Sequence, residues 1–238
     1  MRIIYMNCSI PIEKQISIIV PVYNEEKILS ANYSHWYQLS QVTELIFVDG
    51  GSTDRSVELA AKLGKLLHSK KGRALQMNLG AYKASGKILL FIHADTRLDP
   101  AVFPIVMEKL EEDQLVGGCF SLFLAGQSIS YRLINYLGTM RAKLTRIFYG
   151  DQGLFIKRNI FFNLGGFPEV PIMEDVLFSA KMKKKGKTIV LPEKIWISPR
   201  RWEQRGIITT ISMYLFLSSM FYLGFPLAKI RKIYEDLR

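Results

Sequence analysis

The sequence predicts an α/β protein built around a mostly parallel central sheet, and three observations predict it. Short apolar runs rich in Ile, Val and Phe recur at Ile16-Ser-Ile-Ile-Val-Pro-Val-Tyr-Asn24, Leu45-Ile-Phe-Val-Asp49 and Ile88-Leu-Leu-Phe-Ile-His-Ala-Asp95. Runs of that length and composition suit strands buried on both faces. Helical patterns separate them, which is the strand–helix alternation of a parallel sheet. Finally, each run stops on Asn or Asp, and ligands of open α/β sheets bind beyond the carboxyl ends of the strands. Function is therefore expected along that edge.

After the first run, residues 25–39 mix apolar and aromatic residues at helical spacing. Asp49-Gly50-Gly51-Ser52-Thr53-Asp54 reads as a turn, with Ser52, Thr53 or Asp54 accepting from the free N–H groups of the next helix. That helix is expected to reach about Leu63 and stop at Gly64. A second helix covers residues 72–84. Residues 16–95 thus form a Rossmann-like nucleotide-binding half. Further on, residues 117–124 and 153–156 read as strands, residues 129–148 as a helix and residues 164–168 as a turn. Residues 189–191 and 195–197 read as additional sheet edges.

The simplest organisation is one domain over residues 1–205 and a hydrophobic helical appendage over 206–238. In the appendage, residues 207–228 hold no charge and lie between Arg205 and Lys229. The run is close to the roughly 20 residues that span a bilayer, although five Ser and Thr dilute it and Gly224 and Pro226 interrupt its end. A spanning helix, an interfacial helix and a helix packed on the domain all remain open.

The 238 residues are 49% hydrophobic and 22% charged, enough for a real core and unlike a disordered chain. The net charge of +11 points to an anionic partner: a phosphorylated small molecule, an acidic membrane surface or nucleic acid. No zinc-finger spacing or basic recognition block is present, so nucleic acid is not expected. The basic cluster Lys181, Lys183, Lys184, Lys185 and Lys187 reads as a solvated helix end. Cys8 and Cys119 have no metal or disulfide spacing and fit a reducing compartment. Residues 1–13 contain no sustained apolar stretch, so no signal peptide is expected. These features predict a cytoplasmic protein, peripheral to or inserted at the cytoplasmic face of the membrane.

Several side chains could do chemistry along the sheet edge. In extended backbone His93 and Asp95 would point to the same side and could share a divalent cation, Mg2+ or Mn2+, completed by phosphate oxygens. Equally, Asp95-Thr96 could close the next turn. Asp49 either bonds its own turn or contacts a nucleotide base or ribose. Asn24 and Glu25 suit a helix start, and Arg73 after Lys70, Lys71 and Gly72 suits an anionic phosphate or solvent. Asp151-Gln152 is an exposed polar turn or a substrate contact. Glu174-Asp175 are first-turn acids of a helix or, alternatively, contain a general base for a hydroxyl.

Taken in order, Val20-Pro21-Val22-Tyr23-Asn24-Glu25, Val48-Asp49 with Gly51-Ser52-Thr53-Asp54, His93-Ala94-Asp95 and Glu174-Asp175 resemble the successive motifs of family 2 glycosyltransferases over residues 15–205. Gly72-Arg-Ala-Leu-Gln-Met-Asn78, Gly150-Asp-Gln-Gly153 and Ser198-Pro-Arg-Arg-Trp202 are similar to a bacterial subgroup, the radical-SAM/selenodomain-associated transferases. The resemblance implies a GT-A fold and inverting transfer from a nucleotide-diphosphate sugar to an acceptor that stays open and could be a lipid. It implies that Pro21, Tyr23, Glu25 and Asp49 line the nucleotide pocket, with Arg73 and His93 also on the donor side. Asp95 would be the metal carboxylate, Asp175 the catalytic base with Glu174 beside it, and Asp151, Gln152, Arg201 and Trp202 the acceptor and diphosphate side. Two positions depart from the pattern: Gly50 stands where a second Asp is usual, and His93 replaces the first carboxylate of the DxD motif. A catalytically degenerate binding scaffold is the alternative those departures suggest. A sugar nucleotidyltransferase fits less well, because residues 21–26 lack the glycine-rich basic loop it needs after the first strand.

Overall fold

The computed structural model describes residues 15–126 and 128–236. Its first half alternates strand and helix: β1 (Ile16–Val22), α1 (Glu26–Ala31), α2 (Tyr33–Val42), β2 (Glu44–Asp49), α3 (Ser56–Leu63), β3 (Lys65–His68), α4 (Arg73–Lys83) and β4 (Ile88–Phe91). The second half adds β5 (Thr96–Leu98), α5 (Val102–Glu111), β6 (Leu115–Leu124), α6 (Ile129–Thr145), β7 (Leu154–Lys157), α7 (Arg158–Asn163), α8 (Glu174–Lys185) and β8 (Lys187–Ile197). Three helices close the described chain: α9 (Arg200–Arg205), α10 (Ile207–Tyr222) and α11 (Leu227–Asp236).

All strands join one sheet in the order β3-β2-β1-β4-β7-β6-β8-β5. β1 lies parallel to both β2 and β4, and β2 lies parallel to β3. β7 then runs antiparallel to β4 and β6, and β5 antiparallel to β8, so only β7 and β5 oppose the common direction. Alternate side chains feed two cores, one on each face. Ile16, Ile18, Val20, Phe47 and Leu90 meet Trp36 and Phe103 on one side. Ile19, Ile46, Val48, Leu89 and Phe91 meet Phe161, Phe167 and Phe178 on the other. This two-sided burial is why the strands read as continuous apolar runs rather than alternating ones.

The structure corrects several expected elements. The helix expected over residues 25–39 is two helices broken at Asn32, whose buried side chain accepts a 2.7 Å hydrogen bond from Arg97 Nε. The third apolar run leaves the strand at Phe91, because Thr96 turns the chain by donating its N–H and its hydroxyl to the His93 carbonyl, at 3.2 and 2.7 Å. The segments expected as separate sheet edges belong to one strand, β8, which sits inside the sheet between β6 and β5. β3, β5 and α5 were not foreseen. The lysines of α8 do form an exposed basic helix end, and Lys183 Nζ also donates to the Thr145 carbonyl of α6 at 3.0 Å. Cys119 is buried, which pushes its thiol up and leaves it inert; Cys8 and residues 1–13 lie outside the described residues.

The uncharged run at 207–228 is interrupted. α10 ends at Tyr222, Gly224 takes φ +80°, and α11 starts beyond Pro226. Sixteen residues extend about 24 Å, short of the roughly 30 Å hydrocarbon layer. No helix among the described residues is long and apolar enough to cross a membrane. Instead the two helices pack through Met213, Leu217, Met220 and Ile230 onto Ile172, and Arg231 Nη1 donates to the Pro171 carbonyl at 3.1 Å.

Candidate active site

The carboxyl ends of β1, β2 and β4 lie side by side, and the loops leaving them interlock. Asn24, at φ 54°, accepts from Thr53 N at 2.9 Å, while its own N–H donates to Ser52 Oγ. Glu25 N donates to Ser56 Oγ at 2.7 Å and Glu26 N to Asp54 Oδ2 at 3.1 Å. Asp54 Oδ1 also accepts from Ser56 N at 3.0 Å, which satisfies a free donor at the start of α3. Asp49 is buried and accepts from Gly51 N at 2.9 Å and Ser52 N at 3.2 Å. Its carboxylate therefore closes the turn, with His68 Nδ1 at 3.7 Å on the rim.

A residue not singled out in the sequence unites this edge. The buried amide of Gln76, on α4, donates to the Val22 carbonyl at 2.9 Å and to the Val48 carbonyl at 2.8 Å. It ties the last turns of β1 and β2 to each other and to the helix behind them. A Cβ at Gly50 would stand 3.0 Å from Gln76 Nε2, so the Gln76 amide would have to give by a few tenths of an ångström to admit a side chain at position 50. Two signals point to Gln76: a polar residue on the inner face of a predicted helix, and its place in the Gly72–Asn78 motif.

Arg73 opens α4 and reaches across to α8. Its Nε lies 2.7 Å from Glu174 Oε1 and its Nη2 3.4 Å from Oε2. Glu174 is buried, which pushes its carboxyl upward against the pull of the Arg73 guanidinium. Asp175, its neighbour, is half-buried and faces differently: Oδ2 accepts from Gly150 N at 2.7 Å, and Oδ1 from its own helix at Val176 N. The residue before the pair, Met173, holds a left-handed φ of 66°, a costly conformation for a non-glycine residue and one that concentrates at functional sites. The two acids thus have different partners: Glu174 is paired with Arg73, and Asp175, half-buried, is held by the Gly150 turn and its own helix start.

His93 and Asp95 do not face the same cavity. His93 lines a small cavity with Met77, Gly150, Glu174 and Asp175, and a Cβ on Gly150 would fall 2.7 Å from His93 Nε2 and 3.4 Å from Asp175 Oδ2. Asp95 instead lines a cleft of about 780 Å3 with Lys27, Asn32, Arg97, Trp196 and Arg200. The chain turns at Ala94, so the two-residue alternation that would have paired them has already ended. Among the described residues no three His, Cys, Asp or Glu side chains converge on a metal position. Asp95 as a single carboxylate still suits Mg2+ or Mn2+ of the kind that takes its other ligands from substrate phosphates and water.

Tyr23 is exposed beside the edge, with Lys71 Nζ 3.7 Å from its ring centroid. Pro21 and Glu25 are half-buried there. Gln152 is buried, not exposed: its Oε1 accepts from Arg141 Nη2 at 2.7 Å, which anchors the Gly150–Gln152 turn to α6. Asp151 is half-buried beside it. Trp202 packs against a satellite core of Leu124, Ile134 and Ile197, and its ring lies 6.0 Å from that of Tyr214. Arg201 lies on α9, and its side chain is outside what the structure describes.

A mostly parallel sheet of this order, with helices on both faces, is a GT-A fold. A family model described as "Glycosyl transferase family 2" matches residues 17–168, more than half of the chain, and the chain belongs to that family. Among curated relatives it is similar to an undecaprenyl-phosphate 4-deoxy-4-formamido-L-arabinose transferase of Photorhabdus laumondii, at 25% identity over 157 residues, covering 60% of this chain and 48% of the relative. A protein of the same description from Yersinia pestis is 29% identical over 171 residues, covering 64% and 50%. The chain spans about half the length of the curated relatives it matches. Among solved structures it resembles the mannosyltransferase PcManGT of Pyrobaculum calidifontis in complex with GDP-Man and Mn2+, with TM-score 0.61, 21% identity, and coverage of 76% of this chain and 56% of that one. S. aureus TarS 1-349 gives TM-score 0.60 at 18% identity, over 91% and 68% of the two chains.

Proposed function

We propose that this chain transfers a sugar from a nucleoside-diphosphate donor to an acceptor with inversion at the anomeric carbon, and that Asp175 is the base wherever the acceptor is a hydroxyl or water. The observation that carries the reading is the Asp175 carboxylate, half-exposed and aimed by a 2.7 Å hydrogen bond from Gly150 N at the strand-end edge. An acceptor oxygen attacks the anomeric carbon, the bond to the diphosphate breaks, and a hydroxyl acceptor gives its proton to Asp175. Such proton transfer contributes about 10²–10⁴-fold. Tyr23, Glu25 and the rim around Asp49 form the nucleotide wall, and the Lys70, Lys71 and Arg73 stretch at the start of α4 favours the diphosphate. Asp95 would hold Mg2+ or Mn2+, which when bound neutralises charge on the leaving phosphates. Complexes of structural neighbours with GDP-Man and Mn2+ and with UDP-GlcNAc support a donor of this class.

A lipid phosphate is the acceptor we favour, because the relatives' names specify undecaprenyl phosphate and the chain is strongly basic. That choice has a chemical consequence. A phosphate monoester has a second pKa near 6 and is largely a dianion at neutral pH, so it attacks without giving up a proton. Asp175→Asn should then slow transfer to a hydroxyl acceptor or to water by about 10²–10⁴-fold, and transfer to a lipid phosphate far less.

The test is a thermal-shift screen of nucleoside diphosphates and their sugars with and without Mn2+, followed by donor hydrolysis. At a hundredfold excess over its Kd a true donor raises stability by about 2.7 kcal/mol. A metal-dependent shift from one nucleotide, abolished in Asp95→Ala, is the expected result. If folded protein responds to no nucleotide and hydrolyses none, the non-catalytic scaffold replaces this reading; Gly50, His93 and the lone Asp95 carboxylate are what favour that second view.

A further inference from the structure

α6 has two apolar faces, and only one of them is used. The inner face packs on β6: Ile134 and Ala142 are buried, Asn135 exchanges hydrogen bonds with the backbone of Leu124, and Thr139 Oγ1 accepts from Leu122 N. The outer face repeats Ile129, Leu133, Tyr136, Leu137, Met140 and Leu144 at intervals of three and four residues, which places them in a stripe about 100° wide. Five of these, all but Met140, are 54% to 82% exposed. A globular helix that had only to cover a sheet would carry polar residues there. Single exposed leucines are ordinary, whereas a stripe along four turns marks an interaction surface.

Charge identifies the occupant. Residues 114–150 contain no Asp or Glu, while Arg132 and Lys143 lie along the edge of the stripe and Arg146 caps the helix. α10 repeats the arrangement. Its inner face, Thr210, Met213, Leu217 and Met220, is buried, and Ile208, Leu215, Phe216, Tyr222 and Leu223 stand exposed on the opposite side. Residues 204–234 again hold no acid but include Arg205, Lys229, Arg231 and Lys232. A satellite core of Ile134 and Tyr131 from α6 with Trp202 and Ile207 brings the N-terminal ends of the two helices together. A protein partner would be expected to meet some acidic residues at such a rim; an anionic bilayer needs none.

We propose that the outer face of α6 is a membrane-docking surface that lies in the headgroup layer of an anionic bilayer, beside the exposed face of α10. The geometry of this surface is independent of the donor site, and only its consequence rests on the transferase reading. Arg141 on α6 bonds the Ile147 carbonyl at 2.9 Å and Gln152 Oε1 at 2.7 Å and stacks on Tyr149 at 3.6 Å. The turn that carries Gly150, the hydrogen-bond donor to Asp175, is thereby fixed to the docking helix. Similarly, α10 and α11 pack on Ile172 and Met173, immediately before Glu174. Docking would present the Asp175 region to a lipid-borne acceptor.

The experiment is co-sedimentation of the full chain with phosphatidylglycerol-containing vesicles and with purely phosphatidylcholine vesicles. Binding is expected only to the anionic vesicles and should weaken with salt. Leu133→Gln with Leu137→Gln should reduce it about tenfold or more, and Arg132→Glu with Lys143→Glu by about tenfold. Melting temperature and donor binding should be unchanged in both, because these side chains face outward, and this separates failure of the surface from failure of the donor site. Equal binding by wild type and the α6 variants would overturn the proposal, as would the absence of binding to anionic vesicles. It would equally be overturned if light scattering found a dimer that the Leu133 and Leu137 changes convert to monomer, since the face would then be a subunit interface.

Discussion

The two halves of the sheet are built by opposite rules. From β1 to β4 helices separate successive strands, and each strand pairs in parallel with another of the same half, in the order 3-2-1-4. From β5 to β8 the pairings jump: Thr96 of β5 faces Ile197 of β8, and β7 inserts between β4 and β6 against their direction. The first half supplies a row of strand ends, and the second brings α8 and its carboxylates to that row. A local half can be read from periodicity because neighbours in sequence are neighbours in space. A non-local half has to close long loops before any pairing is made, so its strands fit specific partners rather than a generic pattern.

The sharpest way to break the second half is at its tightest crossing. β6 passes between β7 and β8 at Gly117 and Gly118, and a Cβ on Gly118 would come closer than 3.0 Å to the Ile189 carbonyl oxygen and to the Phe155 ring. The first of these is backbone of a paired strand and cannot swing away. Gly118→Ala should therefore destabilise by more than about 4 kcal/mol or prevent folding, measured by urea unfolding. If it costs less than 1 kcal/mol, the close approach of β6 and β8 is not the constraint claimed for this half.

The corresponding link in the first half is a side chain. Gln76→Ala removes both hydrogen bonds that tie Val22 and Val48 and leaves two buried carbonyls without that donor. A loss of about 2–3 kcal/mol is expected, together with weaker nucleotide binding, because the loops carrying Tyr23 and Asp49 leave from those same strand ends. Unchanged nucleotide affinity in a destabilised Gln76→Ala protein would show that the strand ends are positioned by the parallel pairing alone.

The same contrast explains what could be read in advance. β1, β2 and α4 were legible because burial on both faces writes long apolar runs, and the acidic pair of α8 was legible as first-turn chemistry. β8 was not, since Pro192 and Glu193 interrupt a strand held by β6 on one side and β5 on the other, a pairing that no local pattern records. At the site, Arg73, Glu174 and Asp175 were each visible as charged residues, but their separate commitments were not: that Arg73 takes Glu174 and leaves Asp175 to Gly150 depends on how α4, α8 and the Gly150 turn are docked. The apolar run through Ile92 predicts His93 and Asp95 on one side of a continuing strand; the Thr96 hydroxyl, bonded to the His93 carbonyl, closes a turn there instead.

The seam between the halves offers the smallest and most selective test. His35 on α2 accepts from Leu98 N of β5 at 3.4 Å, next to the Arg97–Asn32 bond, and burial, followed by the Arg97 charge, lowers its pKa from 6.5 to about 4. A folded-state pKa below the unfolded one means that the unfolded chain binds the extra proton between those values. The stability due to neutral His35 is thus fully present above pH 6.5 and is lost as pH falls toward 4. A fully buried group with that shift would contribute about 3 kcal/mol, and solvent screening at this half-buried position reduces the expectation to about 1–2 kcal/mol. Carboxylates titrate in the lower part of the same window, so the measurement is a difference: urea unfolding of wild type and His35→Gln at neutral pH and near pH 4.5, where about half a carboxylate population is protonated. The wild type should lose more stability than the variant over that interval. Parallel losses would mean that α2 and β5 meet without His35, and that the seam depends on Asn32 and Arg97 instead.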